Sequence, residues 1–401
     1  RVEIIAGEEL SEKGNMKPGD IRMLLNESTG IRTQQTSATS YNSSIRIQGL
    51  DGKYTQLLRD GFPLYSGFAS GLSLMQIAPL DLKQVEVIKG SSSTLYGGGA
   101  IAGLVNLISK TPEDEPELSF MANGTSALGL DLSGFYSQKF KKLGTTVFAS
   151  YNLGTPYDPA DIGLTAIPEF DRFTLNPKLY WYLGEQTEML LGINAIWEDR
   201  LGGNMDYVKG EPVDNPYFES NQTERVSTQL GFKHAFNEQN RLEVKNSFSF
   251  YDRTIQIPDF TFSGYQRSSF SEVNFSTRSE DGPEWVFGTN LWTEYFNDTR
   301  EDQSIALDQS YQIFGLFAQN VWQINKELGL ETGLRTDFHS NYGALALPRL
   351  SILYEPSQTL TFRLGGGMGY KTPTVFTEDA ERLQFRNVLP IDIDQTDLER
   401  S

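Results

Sequence analysis

The sequence predicts a membrane-spanning all-β protein: a β-barrel that crosses lipid, preceded by a small α+β unit. Three observations predict it. From about residue 117 onward, apolar and polar residues alternate over runs of about 10–14 residues. Strands of soluble sheets usually have about 5–6 residues, whereas a tilted strand needs about 9–11 to cross a bilayer. Short and long connections between these runs alternate, as expected of a barrel with tight turns on one side and longer loops on the other. Finally, an aromatic residue stands beside nearly every short connection, the position of an interfacial girdle.

Composition narrows the function. The chain of 401 residues carries 34 basic and 52 acidic side chains, a net charge of −18, with 2 His and no Cys. The lack of cysteine excludes a disulfide framework, a thiolate nucleophile, a zinc ribbon and an iron–sulfur site. His234 and His339 cannot by themselves form a three-histidine metal centre. The acidic excess argues against a nucleic-acid partner, which requires a basic face. No apolar run is long enough for a transmembrane helix, a criterion that leaves barrels untouched.

Residues 1–112 read as the α+β unit. Arg1 opens directly into a short strand (Val2 to Ala6) with no basic and apolar leader before it, so any signal peptide is expected to have been removed or never to have been present. Asp20 is placed to cap a helix carrying Ile21, Leu24 and Leu25, with Gly30 as its stop. Strands follow at Ser44–Gly49 and at Gln56–Pro63, the latter closing on a tight Asp60-Gly61 turn. The strand Leu82–Gly90 runs into the small-residue loop Ser91–Ala100, and the strand Ala102–Lys110 follows. That loop lacks the G-x-G-x-x-G spacing and the Lys-Ser/Thr of a phosphate cradle, so its glycines are read as serving backbone freedom.

Residues 113–401 read as the barrel, with about thirteen strands between 117 and 371. Leu242, Val244, Phe248 and Phe250 share one face of a run whose other face carries Arg241, Glu243, Lys245, Ser247 and Ser249. Tight turns are expected at 141–144, 184–186, 237–240, 280–283, 325–327 and 355–358. Longer loops are expected near 154–170, 199–222, 255–264, 299–309 and 340–346. Tyr180-Trp181-Tyr182, Phe236, Trp285, Trp322 and Tyr354 flank the tight turns. The last five residues are polar without alternation and read as a loop. Asp199, Asp206, Glu211 and Asp214 gather oxygen ligands in one outer loop, a candidate calcium site whose plainer reading is a solvated acidic loop. No catalytic constellation stands out, pairs such as Glu113 and Asp114 being ordinary solvated charges, and no cofactor is expected.

Several ordered segments of the first unit resemble the plug domain of TonB-dependent outer-membrane receptors. They are Ile45-Arg46-Ile47-Gln48-Gly49, Leu58-Arg59-Asp60-Gly61-Phe62-Pro63, Val85–Gly90, Leu95-Tyr96-Gly97, Ala100–Gly103 and Val105–Lys110. The resemblance implies a 22-stranded outer-membrane β-barrel of a Gram-negative bacterium, with an N-terminal α+β plug domain in its lumen. On that pattern roughly nine strands and the TonB box lie outside this chain. It implies import of a scarce, bulky ligand, driven by TonB acting on the plug, with no covalent chemistry. A ferric siderophore is the commonest such ligand; cobalamin stays open. Haem is disfavoured because only His339 lies near an outer loop, and very large glycans because the loops are modest. The resemblance also places plug apices at Leu64–Phe68 and Thr94–Gly97, making Tyr65, Phe68 and Tyr96 the candidate ligand contacts. Arg46, Arg59, Asp60, Glu86 and Lys89 are expected in plug–barrel ion pairs. The rival readings are a passive porin-like barrel, which the plug motifs oppose, and a soluble propeller or carbohydrate-binding enzyme.

Overall fold

The computed structural model describes residues 2–35, 43–64, 66–279, 282–301 and 305–401. The first unit consists of β1 (Val2–Ala6), α1 (Gly7–Met16), α2 (Arg22–Asn26), β2 (Ile31–Gln35), β3 (Ser43–Ile47), β4 (Thr55–Arg59), β5 (Phe62–Pro63), β6 (Leu82–Lys89), α3 (Ser93–Tyr96) and β7 (Gly103–Ser109). Its main sheet has the order β1-β6-β7-β4-β5, with only the β4–β7 pair parallel. Ile5, Leu24, Leu25, Ile47, Val85 and Val105, all buried, form its core.

Local chemistry explains the elements. Asp60 and Gly61 take φ of 55° and 76°, the two left-handed positions of a tight hairpin turn between β4 and β5. Asp20 sits two residues before α2 and accepts the Arg22 N–H at 3.0 Å, while its carboxylate also receives the Arg22 guanidinium. The helix ends at Asn26, earlier than the expected stop at Gly30, because Ser28 N–H bonds to Leu25 O and turns the chain out of the helix. The small-residue stretch, expected as loop, contains α3, a single helical turn.

The barrel wall comprises β8 (Glu117–Gly124), β9 (Leu130–Phe140), β10 (Leu143–Gly154), β11 (Glu169–Tyr182), β12 (Thr187–Gly203), the helical turn α4 (Met205–Val208), β13 (Phe218–Ala235), β14 (Asn240–Ile257), β15 (Phe260–Arg278), β16 (Glu284–Asp298), β17 (Gln309–Gln323), β18 (Leu328–His339), β19 (Gly343–Ser357) and β20 (Leu360–Gly367). Among the described residues these strands form one 13-stranded antiparallel sheet in sequence order. The last segment holds β21 (Tyr370–Lys371), α5 (Glu378–Arg382) and β22 (Glu399–Arg400). β22 pairs with β21, so the C-terminal residues return to the sheet side rather than forming the expected loop.

The burial pattern of the wall is inverted relative to a soluble sheet. On β13 the buried face is Glu219, Asn221, Thr223, Arg225, Ser227 and Gln229, while Val226 and Leu230 are exposed. Leu191, Ile193 and Trp197 on β12 and Phe248 and Phe250 on β14 also face outward. Polar in and apolar out is the arrangement that lipid outside and a polar lumen inside require. Trp181, Phe236, Trp285, Trp322 and Tyr354 lie exposed beside the short turns, whereas Tyr180 points inward and is buried.

Two connections differ from expectation. The stretch 255–264 is a two-residue hairpin turn, Pro258-Asp259, in which Asp259 takes φ 61°. Pro258 pre-sets its own φ and Asp259 tolerates the left-handed region, so the polar stretch continues both strands instead of looping out. The stretch 340–346 closes in three residues between β18 and β19. The strict alternation of short and long connections therefore holds only in part.

Candidate ligand-binding site

The first unit lies against the inner, polar face of the sheet. A cavity of about 170 Å³ opens between its apices and the wall, lined by Lys53, Gln56 and Tyr96 from the plug side. Trp292, Glu294 and Tyr311 line it from β16 and β17, Arg335 and Asp337 from β18, and Tyr370 from β21. Arg335 is positioned by two bonds, Nε to Asp337 at 2.6 Å and Nη2 to Asn290 at 2.8 Å, with its guanidinium over Phe317. Tyr370 donates its hydroxyl to the other Asp337 oxygen at 2.9 Å. Glu294 accepts from Ser66 Oγ at 2.7 Å. Aromatic rings, a guanidinium and carboxylates thus line one small chamber, with Arg335 and Asp337 almost fully buried and bonded to each other.

Tyr96 reaches this chamber from the end of α3, where Gly97 takes φ 87° and turns the chain back. Burial pushes the Tyr96 phenol up to about 12, with the Glu86 carboxylate adding to the effect, so it remains a neutral donor. Phe68 is placed differently from expectation. It is buried at the centre of an aromatic cluster, 5.0 Å from Phe296, 5.3 Å from Phe376, 5.5 Å from Phe262, 5.6 Å from Tyr251 and 5.8 Å from Phe385. It packs the plug apex to the wall and offers no face to a ligand. Tyr65 lies outside the described residues.

The expected ion pairs divide. Asp60 joins plug to wall through Lys178 on β11, and Ser109 N–H and Oγ hold the same carboxylate at 2.8 and 2.9 Å. Arg46 bonds to Asp51 within the plug and to Glu378 of α5 at 3.0 Å. Arg59 pairs with Asp81, Lys89 pairs with Glu3, and Glu86 accepts from Gln84 and Asn106, all within the plug. These three are corrected: the plug sheet brings their partners alongside before the wall can reach them.

The four acidic candidates for calcium do not converge. Asp199 lies on the outward face of β12, Asp206 begins α4, and Glu211 and Asp214 follow in the loop. Among the described residues no group of three or more His, Asp or Glu side chains is arranged to hold a metal ion. The calcium reading is therefore withdrawn. His339 is buried with both ring nitrogens engaged, Nδ1 accepting from Asn341 N–H and Nε2 bonding with Thr372 Oγ1, each at 3.1 Å. It presents no free axial ligand to a haem.

Sequence reading missed the segment after β21. Thr377 caps α5 by accepting Ala380 N–H at 3.1 Å, and the helix delivers Glu381 to Arg253, which is fully buried on β14. Phe376 and Phe385 complete the Phe68 cluster. Lys53 of the plug bonds to Glu399 on β22 at 2.8 Å, and Tyr54 Oη donates to the same carboxylate at 2.6 Å. The Thr377-Glu378-Asp379 cap signal was legible, but nothing local says which rings its neighbours meet.

Comparison with known proteins agrees with this architecture. Residues 1–104 match the TonB-dependent receptor plug domain and residues 150–382 the TonB-dependent receptor-like β-barrel. The chain belongs to the TonB-dependent receptor family, whose members are receptors and transporters. It is 27% identical over 205 residues to a ferrioxamine receptor of Yersinia enterocolitica, covering 49% of this chain and 26% of that protein. It is 21% identical over 352 residues to a vitamin B12 transporter of Photobacterium profundum, covering 83% of this chain and 53% of that protein. The chain thus spans about half or less of these relatives. The crystal structure of the siderophore receptor PirA from Acinetobacter baumannii superposes with a TM-score of 0.76 at 17% identity, over 93% of this chain and 61% of that one.

Proposed function

We propose that this chain supplies the plug and part of the barrel of an outer-membrane receptor that imports a ferric siderophore, with TonB driving plug movement. The observation that carries the reading is the cavity between the first unit and the polar face of the sheet, lined by Tyr96, Trp292, Tyr311 and Arg335. A barrel closed around such a plug cannot pass solutes by free diffusion, so passage would require the plug to move. The family to which the chain belongs and the siderophore receptors it resembles support the same conclusion. The division falls at residues 1–112 for the plug and 113–401 for the barrel. Tyr96 is the plug's ligand contact, Tyr65 belongs to the other expected apex by sequence position, and Asp60 and Arg46 make plug–barrel ion pairs, with Lys178 and Glu378.

A cobalamin importer is the second reading, favoured by the vitamin B12 transporter that matches over most of this chain. The test is direct binding of the full-length receptor to ferric hydroxamates, ferric catecholates, cobalamin and haem, followed by uptake in cells with and without TonB. Saturable binding of a ferric siderophore with TonB-dependent uptake is expected. Binding of cobalamin alone would favour the second reading, and rapid entry of small sugars into liposomes without TonB would overturn both.

A further inference from the structure

The plug is held by two walls of this chain in chemically different ways. On one side, the inward face of β11 holds it through an ion pair as well as hydrogen bonds. Arg172 donates through Nη2 to Gly19 O at 2.9 Å and through Nη1 to Met75 O, and is itself held by Glu198 at 3.1 Å. Asn176 donates to Asp81 at 3.3 Å, and Lys178 pairs with Asp60. These three residues recur on the same face of one strand and grip three separate points of the plug, at Gly19, at Met75–Asp81 and at Asp60.

On the other side, residues 90–101 meet β17, β18 and β19. This segment contains no charged side chain, so no ion pair can fix it. Its hydrogen bonds to the rest of the chain on that side use backbone groups of the plug: Arg349 Nε donates to Ser91 O at 3.0 Å, Tyr370 N–H donates to Gly98 O at 3.1 Å, and the Asp337 carboxylate accepts from the Gly98 N–H. The side-chain hydroxyls of Ser91, Ser92, Ser93 and Thr94 are buried and have no partner among the described residues. Thr94 instead packs against Gly333, where a Cβ would come within 2.3 Å of its hydroxyl oxygen. Internally the segment is folded, with Gly97 N–H on Ser93 O at 2.9 Å and Ser92 N–H on Ala100 O at 3.0 Å. Removing it from the wall therefore breaks hydrogen bonds but no ion pair.

The segment also separates two spaces. Tyr96 lines both the outer chamber of about 170 Å³ and a second cavity of about 590 Å³ bordered by Ile88, Ser91, Gln319, Glu331 and Arg349. We infer that, of these two walls, the plug releases first at residues 90–101 from β17–β19 while remaining anchored to β11, and that this release joins the two cavities. The inference rests on the import reading above, because it says where a pulled plug yields.

The experiment is hydrogen exchange of the full-length receptor in detergent micelles, read by mass spectrometry over a urea series below global unfolding. Peptides covering 90–101 are expected to exchange about tenfold faster than peptides covering 55–63 and 75–82, as befits a sub-global opening of lower free energy. In Lys178→Met, exchange at 55–63 should rise towards the rate of 90–101, with 90–101 unchanged. Equal protection of both regions, or faster exchange at 75–82 than at 90–101, would overturn the inference. The measurement uses neither ligand nor TonB, so its failure leaves the import reading standing. A receptor without TonB-dependent uptake would remove that reading whatever the exchange rates.

Discussion

At the residue scale, Phe68 and Asp60 illustrate how one position can be legible in type and not in role. Asp60 belongs to an ordered motif and Phe68 to an expected apex, yet Phe68 is surrounded by five rings and Asp60 by Lys178 and Ser109. Phe68→Ala would open a cavity at the centre of the cluster and should cost about 3–5 kcal/mol. A lower denaturation midpoint with unchanged ligand affinity is the expected result, and a loss of affinity at unchanged stability would return Phe68 to the binding site. For Asp60, burial by itself would raise the carboxyl, but Lys178 and Arg59 hold it below the usual carboxylate range. Its folded-state value is depressed, so its contribution to plug docking is present above the unfolded carboxylate value and is lost as pH falls through the folded one. Protease sensitivity of the plug should therefore stay flat from neutral pH down to the ordinary carboxylate range and rise as pH falls through and below it. In Asp60→Asn that acid step should be smaller.

At the scale of elements, β11 decides how the plug is attached. Arg172, Asn176 and Lys178 alternate with outward residues such as Phe173 and Leu179, so the strand's period of two puts every anchor on the lumen side. Lys178→Met would leave the Asp60 carboxylate without its wall partner, at a cost of about 3–5 kcal/mol to plug docking. Urea titration followed by limited proteolysis should show the plug freed at a lower urea concentration, and Asp60→Asn in the same background should restore part of the loss. The pattern of β11 was readable in advance; its partners were not. Residues on Gly19, Met75 and Asp81 approach it from segments distant in sequence, and no periodicity encodes that meeting.

For the whole molecule, lipid is the solvent that makes the inverted burial pattern stable. Val226→Arg would place a charge on the lipid face of β13 and should cost about 2–4 kcal/mol near the bilayer midplane. Folding of the full-length receptor into phosphatidylcholine vesicles, followed by the heat-dependent shift in gel mobility, measures the loss; Gln229→Arg on the lumen face should fold nearly as the parent does. An equal loss for both would mean that the outward face does not contact lipid.

The sequence by itself determined the class of fold, the number and faces of the wall strands, the Asp60-Gly61 turn and the girdle, because alternation, strand length and turn chemistry are local properties. It also carried the plug motifs in order, and with them Tyr96, which lines the chamber. Tertiary structure decided the rest. It buried Phe68, kept Arg59, Glu86 and Lys89 within the plug, dispersed the acidic loop residues and folded the segment after β21 onto the plug apex. Each of those outcomes depends on which distant segments share a surface, and the competition among nearby partners for one charge or one ring is settled only when the chain has closed around it.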